Sequence, residues 1–128
     1  MRIEHIAIWV TDLEMMRTFY ELYFNALCGE KYYNPTKEFS SYFLRFTDGA
    51  RLEIMHKPSI GKSSNIDTIR TGFIHFAMSV GSKEKVNSLT DELRADGYTI
   101  TGEPRTTGDG YYESVVLDPE GNQIEITI

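Results

Sequence analysis

The feature that most limits what this chain can fold into is an internal repeat. Residues 3–10 (IEHIAIWV) alternate around a histidine, and residues 73–80 (FIHFAMSV) do the same. Alternation with period two is the pattern of a half-buried strand. A helical pattern follows each strand. In the first copy Leu13, Met16, Tyr20, Tyr23 and Leu27 recur at helical spacing behind a capping box in which Thr11 accepts from the backbone and Glu14 reaches back, with Gly29 as the stop. In the second, Ser82 caps a helix carrying Val86, Leu89 and Leu93 that ends at Gly97. Each copy then closes on a hairpin. Phe39 to Phe46 and Arg51 to His56 flank a Thr-Asp-Gly turn at 47–49, and Tyr111 to Leu117 and Asn122 to Ile128 flank Asp-Pro-Glu-Gly at 118–121. Two copies of strand, helix, strands make an α+β chain.

The length of 128 residues suits one domain, residues 1–128, in two modules: about 1–57 and about 73–128. The segment Lys57-Gly72 is polar and contains Ser and Gly, so residues of about 58–72 read as a linker that could also close over a site. A formal net charge of −6, with no basic run, argues against nucleic acid and against an anionic membrane surface as partners. No apolar run approaches a membrane span, and the opening MRIEHIAIWV lacks the pattern of a signal peptide. The one cysteine, Cys28, reads as a small buried hydrophobe and fits a reducing cytoplasm.

Side chains alternate faces along a strand, so parity decides which residues can meet. If Ile6, Ile8 and Val10 cover the helix, His5 points away from it; Leu52 and Ile54 leave Glu53 on the far face. In the second copy Ile74, Phe76, Met78 and Val80 leave His75 on the far face, and Ile124, Ile126 and Ile128 leave Glu125 there. Singly, a strand His is more often a satisfied histidine, and an alternating Glu is usually a solvated face. Four at repeat-related positions are different. Two imidazoles and two carboxylates are the donors of a divalent transition-metal site, suited to manganese, iron, cobalt, nickel or zinc. His56 lies on the other face and has no histidine counterpart, so it reads as a surface or hairpin-end residue.

The opening HIAIWVTDLEMMRTFYE, the LEIMH and GFIHFAMSV strands and the closing DPEGNQIEI resemble the vicinal oxygen chelate superfamily, which includes glyoxalase I, bleomycin and fosfomycin resistance proteins, extradiol dioxygenases and methylmalonyl-CoA epimerase. The resemblance covers essentially the whole chain. It implies two tandem beta-alpha-beta-beta-beta modules forming a cupped mixed sheet. The His, Glu, His, Glu ligand pattern of the glyoxalase I branch matches His5, Glu53, His75 and Glu125 one for one. The resemblance further implies a homodimer whose metal site is shared between modules of two chains. The family chemistry chelates two neighbouring oxygens of a small-molecule substrate on the metal and stabilises an enediolate. By matching position Glu125 would be the base, with Glu53 a ligand and partner in proton return.

Departures from the glyoxalase I branch concern its thiol cofactor. Where bacterial glyoxalase I carries an Arg four residues after its first His, this chain has Trp9, and its Asn past the first Glu falls near Lys57. Glutathione or another thiol is therefore one option, and a different small substrate stacked on Trp9 is another. Phe43 and Arg45 on an adjoining strand complete the candidate pocket, with Arg45 or Arg51 available to an anionic substrate. The expected function is a metal-dependent, glyoxalase-I-like lyase or isomerase. Alternatives are a bleomycin-resistance type of small-molecule-binding protein, a thiol transferase, a dioxygenase or an epimerase.

Overall fold

The computed structural model describes residues 1–61 and 72–128. Most of the expected linker, residues 62–71, and any closing role for it lie outside the described residues. The chain divides into two compact units, Met1–Ile69 and Arg70–Ile128.

In the first unit the elements run β1 (His5–Trp9), α1 (Leu13–Phe24), β2 (Leu27–Cys28), β3 (Tyr32–Asn34), β4 (Phe39–Arg45) and β5 (Arg51–His56). They build a mixed sheet of order β1-β5-β4-β2, with β3 also on β4. The first strand lies parallel to the last, and β4 and β5 are antiparallel. Helix α1 buries Leu13, Met16, Phe19, Tyr20, Tyr23 and Phe24 against one face, where Tyr42, Leu44, Leu52 and Ile54 meet it. Each such side chain is worth roughly 1.5–3 kcal/mol of transfer free energy, so this helix stripe anchors the unit.

Two local expectations change here. The N-cap of α1 is Asp12, whose side chain accepts from the Met15 N–H at 2.9 Å, while Glu14 bonds Lys31 and Tyr42 instead of closing a capping box. The helix also stops before Leu27. Asn25 takes the left-handed conformation at φ 52°, a position Asn tolerates, and sends the chain out into β2. Leu27 is consequently exposed, and Cys28 is a half-buried strand residue.

The second unit runs β6 (His75–Ser79), α2 (Lys83–Ala95), β7 (Ile100–Thr106), β8 (Tyr112–Leu117) and β9 (Gln123–Thr127), in a mixed sheet of order β6-β9-β8-β7. Again the first strand is parallel to the last. Ser82 caps α2 by accepting from the Lys85 N–H, and Gly97 follows the helix at φ 90°, where only glycine is unstrained. The core is leaner than the first: Val86, Leu93, Val116, Ile124 and Ile126 surround a buried hydroxyl pair, Thr90 Oγ1 to Ser114 Oγ at 2.7 Å. At the β8-β9 turn the Asp118 carboxylate accepts from the N–H groups of Glu120 and Asn122 and from Asn122 Nδ2. Strand β6 starts only at His75, so Ile74, expected on the helix face, is exposed. Two helices and two mixed sheets in this order are the α+β architecture expected.

Candidate functional site

In the first unit, β1 and β5 set the register. His5 lies opposite Arg51 and Ala7 opposite Glu53, so His5 and Glu53 are diagonal neighbours on parallel strands. Leu52 and Ile54 are buried under α1, which turns Glu53 to the other face with His5. His5 Nε2 stands 4.0 Å from Glu53 Oε2. The other ring nitrogen is committed: Nδ1 lies 2.6 Å from Glu4 Oε2. That hydrogen bond is the main cause holding the Glu4 carboxyl below its usual value, with Arg51 bonding the second oxygen at 2.5 Å. Arg51 also lies over the Phe43 ring, 4.1 Å from its centroid, and Phe43 meets His5 edge-on at 5.4 Å. Glu4 and Phe43 thus touch the imidazole, and Arg51 holds both of them.

The second unit repeats the arrangement. His75 lies opposite Gln123 and Ala77 opposite Glu125, the same diagonal on the same parallel pairing. Ile124 and Ile126 are buried beneath α2, so Glu125 shares the far face with His75. His75 Nε2 is 3.3 Å from Glu125 Oε1. In both pairs the carboxylate is the more sheltered partner, 14% and 21% exposed against 41% and 36% for the imidazoles.

These donors fit a transition metal in kind and spacing. Imidazole nitrogen and carboxylate oxygen bind Mn, Fe, Co, Ni and Zn, and two donors each about 2.1 Å from one tetrahedral cation lie about 3.4 Å apart. The His75–Glu125 pair meets that spacing, and the His5–Glu53 pair is somewhat wider. Glu4 gives His5 the kind of carboxylate partner that would orient the ring of a ligating histidine. Among the described residues no group of three or more His, Cys, Asp or Glu side chains is placed to hold a metal, and each unit brings together one His–Glu pair.

The model of the Glyoxalase/Bleomycin resistance protein/Dioxygenase superfamily matches residues 2–126. The chain belongs to that superfamily. A relative, the uncharacterized protein YqjT of Bacillus subtilis (strain 168), is 29% identical over 125 residues, covering 95% of this chain and 94% of its own. Among solved structures, a V278E mutant of glyoxalase I from Zea mays is 25% identical with a TM-score of 0.80, covering 98% of this chain and 44% of that one. The chain thus spans less than half of the maize enzyme. The trypanothione-dependent glyoxalase I of Leishmania major shares the fold at 22% identity and a TM-score of 0.79, over 99% of this chain and 86% of that one.

Within this superfamily member the remaining candidate residues are distributed unevenly. Trp9, 47% exposed, meets Phe39 edge-on at 6.1 Å, and the Lys57 ammonium sits 5.1 Å from its ring centroid. The two positions where the resemblance places thiol-anchoring groups therefore hold a tryptophan and a lysine that pair with each other. Phe43 braces His5. Arg45 is exposed at the end of β4, opposite Leu27. His56 turns to the other side, its Nδ1–H donating to the Val10 carbonyl at 3.0 Å, a bond that ties β5 to the end of β1. Sequence reasoning missed Glu4, whose role follows only from its contact with His5, and Arg105, which belongs to a strand without apolar alternation. It also missed β7 as an element, since Gly102 and Pro104 interrupt any strand pattern and the pairing to β8 shifts register twice.

Proposed function

We propose that this protein is a metal-dependent lyase or isomerase of the glyoxalase I kind, moving a proton on a small α-hydroxycarbonyl substrate. The observation that carries this reading is the duplicated diagonal His–Glu pair on parallel strands, His5 with Glu53 and His75 with Glu125. In this reading all four are metal ligands, the metal site is shared between modules of two chains in a homodimer, and the protein works in the cytoplasm. A divalent cation held by these donors supplies Lewis acidity toward the substrate's oxygens.

The chain's own residues do the rest. Glu125, at the position that matches the base of the glyoxalase I branch, takes the proton from the substrate carbon. Glu53 is a ligand and the partner in proton return. Glu4 accepts from His5 Nδ1, which leaves Nε2 as the nitrogen that would bind the cation. Trp9, Phe43 and Arg45 form the substrate wall, and the Lys57-Trp9 pair favours a substrate other than a glutathione adduct. A second reading, a binding protein of the bleomycin-resistance type, draws on the aromatic run Trp9, Phe39 and Tyr32, in which Trp9 and Tyr32 are exposed.

The test is elemental mass spectrometry on protein purified without an affinity-metal step, beside His5→Ala, His75→Ala and Glu125→Gln. Near-stoichiometric metal lost in both alanine variants, with Glu125→Gln keeping fold and much of the metal yet losing most glyoxalase turnover, supports the lyase. Protein that rejects added nickel, cobalt, zinc and manganese overturns it and favours the binding reading.

A further inference from the structure

Resting on the proton-transfer reading, the geometry points to an anion-binding subsite in the second unit, where Arg105 receives a carboxylate of the substrate. The subsite is built by a glycine. Gly102 on β7 pairs with Val115 on β8. A Cβ at Gly102 would stand 3.0 Å from Val115 Cγ2 and 3.1 Å from Arg105 Nη1, so the missing side chain is what lets the guanidinium lie against the sheet. Thr101, Gly102, Glu103, Arg105, Val115 and Gln123 line an open depression of about 460 Å³ there.

Register places this depression beside the His75–Glu125 pair. Val115 is the cross-strand partner of Glu125, and Gln123 is the partner of His75. Ser114 and Val116 are fully buried beneath α2, so Val115 points to the face that carries the pair. Glu125 and Gly102 are two strands apart, about 10 Å between backbones. One small molecule can reach both.

Charge selects the occupant. Among the described residues Arg105 is the only cation on a strand of this unit, since Lys83, Lys85 and Arg94 belong to α2. Its contact with Glu113 is 3.8 Å, long beside the 2.7–2.9 Å typical of a charge-assisted bond, so the guanidinium keeps donors to give. Glu103, at the rim, is already held by Arg94 at 2.5 Å. A planar fork with spare donors, over half exposed, suits a carboxylate. The substrate class is thus a small oxo- or hydroxycarbonyl acid whose carboxylate lies a few bonds from the carbon that loses its proton.

The experiment compares 2-oxoglutarate with 2-oxopentanoate by isothermal titration calorimetry; the two share the 2-oxoacid end and differ in a distal carboxylate against a methyl group. The wild type should bind 2-oxoglutarate at least fivefold tighter. Arg105→Gln should remove that preference and leave 2-oxopentanoate unchanged, Arg105→Lys should restore part of it, and Gly102→Ala, which displaces the guanidinium, should weaken it. Equal affinity in the wild type, absence of binding by both acids included, overturns the subsite, as does a preference that survives in Arg105→Gln. Repeating the titrations on chelator-stripped protein separates the two readings. If only the metal reading fails, the preference is the same with and without added metal. If only the subsite fails, both acids bind equally, and only to metal-loaded protein.

Discussion

Glu4 and His5, adjacent in sequence, form a carboxylate–imidazole pair whose polarity is fixed by chemistry. The carboxylate oxygen 2.6 Å from Nδ1 accepts, so Nδ1 carries a hydrogen, and Nε2 is the ring nitrogen turned toward Glu53. Removing a carboxylate of this kind typically costs tenfold or more in metal affinity. Glu4→Ala should therefore weaken binding of cobalt or zinc about tenfold, measured by competition with a chromophoric chelator. Glu4→Gln, whose amide oxygen still accepts, should recover part of the loss. Unchanged affinity in Glu4→Ala would separate Glu4 from the metal.

The buried hydroxyls of Thr90 and Ser114 bond each other at 2.7 Å, and Thr90 Oγ1 lies 2.6 Å from the Val86 carbonyl. Both residues are fully buried. Thr90→Val strands the Ser114 hydroxyl and should cost about 1–3 kcal/mol by urea denaturation. The double variant Thr90→Val with Ser114→Ala should cost less than the two single losses added together, because no orphan remains. Strict additivity would mean the two hydroxyls are not coupled.

Glu14 links α1 to the strands beneath it, bonding Lys31 at 2.9 Å and the Tyr42 hydroxyl at 3.0 Å. The Lys31 bond is the chief cause lowering its carboxyl below the ordinary value of 4.5, and Glu14 in turn raises Lys31 above 10.5. A lowered carboxyl contributes stability that is present above pH 4.5 and lost as pH falls through its folded value. A raised ammonium contributes stability present below pH 10.5 and lost as pH rises above it. Both side chains are substantially exposed, so solvent screening limits the pair to about 1 kcal/mol or less. Glu14→Gln should flatten the melting temperature's pH dependence just below pH 4.5 and again above pH 10.5. A slope equal to wild type in both windows would dismiss the pair.

Burial is the main cause raising the Cys28 thiol above 9.0, with Arg17 partly opposing it. Iodoacetamide labelling followed by mass spectrometry across pH should have its midpoint above 9.0 and run slower at pH 8 than labelling of free glutathione. Arg17→Ala should move that midpoint further up. A midpoint at or below 9.0 would contradict a sheltered thiol.

The repeat, the strand parity and the turn residues were readable because each is a property of a short stretch of chain. Alternation around His5 and His75 named the strands, Ser82 and Gly97 bounded α2, and the apolar sets of β5 and β9 turned Glu53 and Glu125 to the face opposite the helices. Local pattern erred where two residues competed for one task. Asp12 rather than Thr11 caps α1, and Asn25 in the left-handed region ends it before the apolar spacing does. Strand β7 has no pattern to read, since it is held by pairing to β8 despite Gly102 and Pro104.

What the sequence by itself determined is therefore the kind of element at each place and the face each side chain takes, because helix and strand periodicities follow from backbone geometry alone. Tertiary structure decided which of those side chains meet. His5 reaches Glu53 through a parallel register between strands more than forty residues apart, Lys57 comes to rest over Trp9, and Arg105 folds across Gly102. Such contacts depend on strand register and on the space a neighbour leaves, and neither is encoded within the stretch that carries the residue.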